Sequence, residues 1–109
     1  TLIFSPAQAI LAAKAGAKYV SPFVGRVDDN SFDGIDLVDQ ISDIYTIQNI
    51  RKTEILAASV RDVKTVSDAF GAGAHVVTMP PSILEKMYNH VLTDRGLYQF
   101  DMDWAKVKR

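Results

Sequence analysis

Apolar residues in this chain fall into short β-like runs separated by stretches of helical period. Leu2 to Phe4 is the first extended run. In Ser5-Pro6-Ala7-Gln8, Ser5 can cap a helix, Pro6 suits its first turn and Gln8 can complete a capping box. That helix passes through Ile10, Leu11 and Ala13 and ends near Gly16, a residue suited to the left-handed position past a helix end. Tyr19 to Val24 predicts a second strand. Residues 25–33 read as a polar loop, after which Ile35, Val38, Ile41, Ile44 or Tyr45, and Ile47 mark an amphipathic helix with Asp36, Asp39 and Asp43 on its outer face.

Thr53 to Val60 predicts a third strand, and Asp62 caps a helix through Val66, Ala69 and Phe70 that Gly71 and Gly73 terminate. His75 to Met79 predicts a fourth strand, stopped by Pro80-Pro81-Ser82. Ser82 and Glu85 form a second capping box for a helix carrying Ile83, Leu84, Met87 and Tyr88. Thr93 caps a last helix, with an apolar stripe of Leu97, Phe100, Trp104 and Val107. The pattern is βα repeated four times with one helix added. Strands apolar on both faces belong to parallel sheets covered by helices. Four such units are half of an eight-unit barrel, or equally a four-stranded open α/β sheet, and periodicity does not choose between them.

Composition narrows the function more than the fold. The 109 residues suit one hydrophobic core, and a formal charge of -1 with no basic stripe argues against nucleic acid and anionic membrane surfaces as partners. No apolar run approaches a transmembrane span. The absence of cysteine excludes disulfides, thiolate metal sites and a cysteine nucleophile, and is compatible with a cytoplasmic location. Because the chain opens at Thr1 already inside a strand-like run, the expectation is a single partial domain over residues 1–109, cut from something longer.

The candidate chemistry lies at predicted strand ends. Alternation puts Tyr19, Ser21 and Phe23 on one face and Val20, Pro22 and Val24 on the other. Pro22 fits where pairing is ending, Gly25 lets the backbone turn, and Arg26 can swing its fork over the strand's end. On the third strand, Ser59 and Arg61 share the face of Ile55 and Ala57. Two arginines and two hydroxyls can hold a phosphate monoester, with Ser5 nearby at the first helix start; the competing account is two unrelated surface arginines.

Other signals are weaker. Asp29, Ser31, Asp33 and Gly34 imitate a calcium loop, but Gln40 stands where its bidentate glutamate belongs and no helix precedes it. His75 and His90 are isolated and read as structural, His90 at a helix end that welcomes a cation. No metal site or nucleotide-binding glycine loop is indicated. The seven lysines, at 14, 18, 52, 64, 86, 106 and 108, fall on predicted helices, helix ends or loops, and none is placed as a buried strand nucleophile.

Taken together, Thr1-Leu2-Ile3-Phe4-Ser5, Ser21-Pro22-Phe23-Val24-Gly25-Arg26 and Leu56-Ala57-Ala58-Ser59-Val60-Arg61 closely resemble the transaldolase family. The resemblance is particularly to its small bacterial and archaeal members, which also include fructose-6-phosphate aldolases. The resemblance implies the C-terminal half of a TIM (β/α)8 barrel, strands five to eight, with a closing C-terminal helix. It also implies cofactor-free Schiff-base transfer of a dihydroxyacetone unit between sugar phosphates, in the pentose phosphate pathway of the cytoplasm. By the same resemblance Thr1 helps position the catalytic water. Ser21 and Phe23 line the pocket around the dihydroxyacetone unit, and Arg26, Ser59 and Arg61 bind substrate phosphate.

Fructose-6-phosphate aldolases tend to have tyrosine where this chain has Phe23 and lysine where it has Arg61, so transaldolase is the first expectation and aldolase the second. In the family the Schiff-base lysine stands on the fourth strand, upstream of the segment resembled here. The implied partners are therefore the missing N-terminal half of the barrel, sugar phosphate substrates and further copies in a homo-oligomer. An alternative of another class is a non-catalytic half-barrel that self-associates through open edges at Thr1 to Ser5 and His75 to Met79.

Overall fold

The first helix begins where Ser5, Pro6 and Gln8 predict it. In a computed structural model that describes residues 1–107, α1 spans Pro6–Lys14, and Ser5 Oγ accepts from the Gln8 N–H at 3.2 Å. Gln8 Oε1 reaches back one residue further than in the usual box and accepts from the Phe4 N–H at 2.8 Å. Gly16 follows with φ +91°, reversing the chain into β1 (Tyr19–Val20). The remaining elements are α2 (Val24–Asp29), α3 (Gly34–Ile47), β2 (Glu54–Ala57), α4 (Val63–Gly71), β3 (Val76–Val77), α5 (Pro81–Tyr88) and α6 (Val91–Val107).

The three strands are parallel and lie in chain order, with Val20 opposite Ile55 and Leu56 opposite Val76. The predicted first strand survives as one parallel bridge, Ile3 to Pro22, on the side of β1 away from β2. As in any parallel pair, Ile3 bonds to the residues flanking Pro22: Ile3 N–H donates to Ser21 O and Phe23 N–H donates to Ile3 O. Four consecutive parallel positions thus follow one another without the reversal that defines a doubly wound sheet.

One face of this sheet is covered and the other is open. Val20, Pro22, Ile55 and Ala57 are sealed beneath helices with Val24, Val38, Ile41, Val60 and Val66. Tyr45 extends that layer by donating its hydroxyl to Ala9 O at 2.6 Å, joining α3 to α1, and burial pushes its phenol pKa up. On the opposite face Phe4 and Tyr19 each remain 43% exposed. Parallel sheets are ordinarily covered on both sides. Helix α6 has no buried residue among those described, and its stripe of Leu97, Phe100, Trp104 and Val107 is exposed rather than laid over the sheet. Among the described residues no helix is long and apolar enough to cross a membrane.

Several expectations change at element ends. The second strand stops at Val20, and Val24 opens a helix where a polar loop was predicted. Residues 53–60 shorten to Glu54–Ala57, because Ser59 takes φ +61° and ends the alternation. The fourth strand contracts to Val76–Val77. Ile47 and Phe70 are exposed rather than buried. Ser82 is not a cap: Pro80 and Pro81 already start α5, and Pro81 holds its first position. Thr93 lies inside α6, whose start is instead marked by His90, with Nδ1 accepting from the Leu92 N–H at 3.0 Å. His90 therefore stands between the C-cap of α5, Asn89, and the first residue of α6. His75 does have a structural partner, its Nδ1 accepting from the Ile55 N–H at 3.0 Å.

Candidate functional site

The C-terminal end of β1 leads directly into α2. Phe23 bridges Ala58, Ala58 N–H donates to Pro22 O, and Val24 N–H donates to Ala58 O at 2.9 Å. The chain therefore passes from sheet to helix within one residue, and Arg26 lies in the first turn of α2. Its guanidinium carbon stands 5.1 Å from the centre of the Phe23 ring, a cation–π arrangement. The Phe4 ring is tilted against it, 6.1 Å away between centroids. Ser21 and Phe23 are half-buried and lie on the open face of the sheet.

The neighbouring strand ends differently. After Ala58, the left-handed turn at Ser59 buries Val60 and directs Ser59 towards α2. Arg61 follows, with Nη2 3.5 Å from Ser59 Oγ. Strand alternation thus fails as the reason that Ser59 and Arg61 share a side, yet the turn brings them together. Gly25 makes room for the pair. A Cβ there would run into the Ser59 carbonyl oxygen and would stand 2.7 Å from Ser59 Oγ and 3.0 Å from Arg61 Nε. Gly25 lies within α2 and has no positive φ, so it provides space rather than the backbone freedom expected of it.

Arg61 has a partner that sequence reasoning missed. Its Nη1 and Nη2 donate to the two carboxylate oxygens of Asp29 at 2.8 and 2.9 Å. The hydrogen bonds from Arg61 hold the Asp29 carboxyl below the ordinary carboxylate range, and those to Asp29 raise the already high arginine value. The other acids of the discarded calcium pattern also have structural work: Asp33 caps α3 through the Asp36 N–H, and Asp28 just before it accepts from the Gly34 N–H at 2.8 Å. Nothing in the sequence pairs positions 29 and 61, which lie 32 residues apart.

The structure thus gathers Ser59 and Arg61 into one wall against α2 and, on the adjacent strand end, groups Phe23 with Arg26. Thr1 is exposed, and because Leu2 takes φ +54° the alternation from Ile3 does not orient it. Ser5 is committed to the α1 cap. Lysines 14, 18, 52, 64, 86 and 106 are exposed and lie off the three strands, while Lys108 lies outside the described residues. Among the described residues no group of three histidine, aspartate or glutamate side chains is set to hold a metal ion.

Hydroxyl and guanidinium groups at the C-terminal ends of sequentially ordered parallel strands define an α/β protein of the kind that carries its chemistry on that rim. The chain belongs to the Transaldolase/Fructose-6-phosphate aldolase family, whose profile matches residues 1–109. A Paracoccus denitrificans protein (strain Pd 1222) named "Probable transaldolase" is 58% identical over 107 residues, covering 98% of this chain and 49% of that relative. Proteins of the same name from Caulobacter sp. strain K31 and Nitrosopumilus maritimus strain SCM1 are 59% and 56% identical, over 96% and 99% of this chain and 48% and 49% of theirs. The chain spans about half the length of the curated relatives it matches.

Proposed function

We propose that residues 1–109 are the phosphate-gripping, C-terminal half of a transaldolase, strands five to eight of a (β/α)8 barrel with its closing helix. The complete enzyme then transfers a dihydroxyacetone unit between sugar phosphates in the cytoplasmic pentose phosphate pathway. Sequential strand order and a sheet covered on one face only both fit a half-barrel whose inner face awaits the other strands. The observation that carries the functional reading is the pairing of Ser59 with Arg61 beside Gly25, one strand away from Phe23 and Arg26.

In this mechanism a lysine amine attacks the ketose C2 carbonyl and water leaves, forming a Schiff base. Cleavage of C3–C4 then expels an aldose phosphate and leaves an enamine, which adds to the aldehyde carbon of a second aldose before water releases the product. The residues of this chain act at the two ends of the substrate. Arg26, Ser59 and Arg61 grip the phosphate, and that remote binding energy fixes the reacting carbons in the barrel. Ser21 and Phe23 wall the dihydroxyacetone unit, and Thr1 positions the water. Phe23 has no hydroxyl and its ring contacts Phe4 and Arg26, which favours transfer over the aldolase reading, in which a tyrosine hydroxyl there handles protons through water.

The nucleophile is assigned to a preceding segment, since every described lysine is exposed and off the strands. Borohydride trapping with fructose 6-phosphate in the full-length protein, followed by peptide mapping, tests this. The adduct is expected on a lysine outside residues 1–109. An adduct on any of the seven lysines within them overturns the assignment. Intact-mass measurement that finds only the 109-residue species, together with a stable symmetric dimer in solution, favours the self-associating half-barrel instead.

A further inference from the structure

The guanidinium of Arg61 is held at its two terminal nitrogens by Asp29. On the Asp29 side, Gly25, Ser59 and Arg61 share a small concavity of about 150 Å³ with three carboxylates, Asp28, Asp29 and Asp62. An anion is repelled there. A larger concavity, about 360 Å³, is lined by Ser59, Val60, Arg61, Thr78, Met79 and Pro80 and contains no acid. Arginine carries five N–H donors, of which the Asp29 fork uses two and the long contact to Ser59 Oγ a third. At least two remain for a ligand.

Both partners of the fork are half exposed, 55% for Arg61 and 54% for Asp29, so the pair adds little to folding stability. What it does supply is order. A free arginine on the rim samples many rotamers and loses that freedom when it binds, whereas two parallel hydrogen bonds from the end of α2 hold this one beside Ser59 in advance. We propose that Asp29 is a positioning residue for phosphate recognition, holding the Arg61 guanidinium by its two terminal nitrogens beside Ser59 so that the donors the fork does not use are ordered before a phosphate arrives. The carboxylate opposes the anion only weakly, because its charge is already paired and the site is wet. The inference rests on the phosphate-binding role of Arg61.

Calorimetric titration of the full-length protein with inorganic phosphate and with fructose 6-phosphate separates the two claims. Asp29→Asn keeps the shape and removes the acceptor pair. It is expected to weaken both ligands about three- to tenfold, the cost of ordering one long side chain on binding. Asp29→Glu is expected to recover part of the loss, and Asp43→Asn, on the exposed face of α3, to change nothing. In nitrogen-15 relaxation the Arg61 Nε–H should become more mobile in Asp29→Asn and stay ordered in Asp43→Asn. If Arg61→Ala leaves phosphate binding intact, the phosphate reading itself fails. If Arg61→Ala weakens binding while Asp29→Asn leaves it within twofold of the parent or tightens it, only the role of Asp29 is overturned.

Discussion

Replacing Gly25 with alanine asks whether the α2–Ser59 contact is as tight as the geometry requires. The new methyl group meets the Ser59 carbonyl oxygen and stands 2.7 Å from Ser59 Oγ. Arg61 Nε, at 3.0 Å, belongs to a long side chain and can retreat. The carbonyl cannot, because it is backbone, one residue after Ala58 has bridged Phe23, and it sits in a left-handed turn. Helix α2 or the Ser59 turn must therefore shift. Overpacking of this kind costs about 1–3 kcal/mol, against a helix-propensity gain of about 0.8–1 kcal/mol for glycine to alanine. A net loss of about 0–2 kcal/mol is expected. Urea unfolding midpoints of the full-length protein measure it, with phosphate affinity expected to fall in parallel because Ser59 and Arg61 move. Gly71→Ala is the internal control: a Cβ there meets nothing within 4 Å, so only the propensity gain applies. A Gly25→Ala protein as stable as the parent and with unchanged phosphate affinity refutes the argument.

Three further outcomes follow from the same geometry. Arg26→Ala and Arg61→Ala should each weaken phosphorylated substrates about ten- to a hundredfold, as loss of a charged hydrogen-bond partner does, while unphosphorylated sugars are unaffected; equal losses on both in steady-state kinetics contradict the role. Ser59→Gly should be about 1 kcal/mol more stable than Ser59→Ala, since glycine accepts φ +61° without the penalty of a side chain, although both lose the hydroxyl and bind phosphate poorly. Asp62 accepts from the backbone N–H and the hydroxyl of Thr65, which lowers its pKa relative to the unfolded chain. Its stabilising contribution is therefore complete above the unfolded carboxylate value of about 3.9 and is lost as pH falls through the lower folded value. Asp62→Asn should flatten the acid limb of a urea-midpoint profile against pH, and an unchanged limb would discount the cap.

Local signals were legible where all their atoms lie within a few residues. Ser5, Pro6 and Gln8 announce α1 because the cap is closed by hydrogen bonds over three and four positions. The same logic misplaced the start of α5, where Ser82 and Glu85 have the right spacing but Pro81 claims the first helical position ahead of them. Helix α2 left no trace in the pattern, since six residues ending in Asp28-Asp29 give no helical period and look like a polar loop. The exposure of Ile47, Phe70 and the α6 stripe was equally invisible, because periodicity names an apolar face without naming what covers it.

For the site, the sequence alone determined the βα alternation apart from α2, the hydroxyls and arginines at strand ends, and a motif spacing that matches one family across residues 1–109. Tertiary structure decided which of these residues meet. Arg61 is forked by Asp29 from 32 positions away, Ser59 reaches Arg61 through a left-handed turn rather than strand alternation, and Gly25 serves as empty space. The reason is physical. A cap or a strand run is specified by bonds between neighbours, whereas a fork, a cavity wall and a missing Cβ acquire meaning only when packing of the sheet and helices has brought distant segments within 3 or 4 Å of one another.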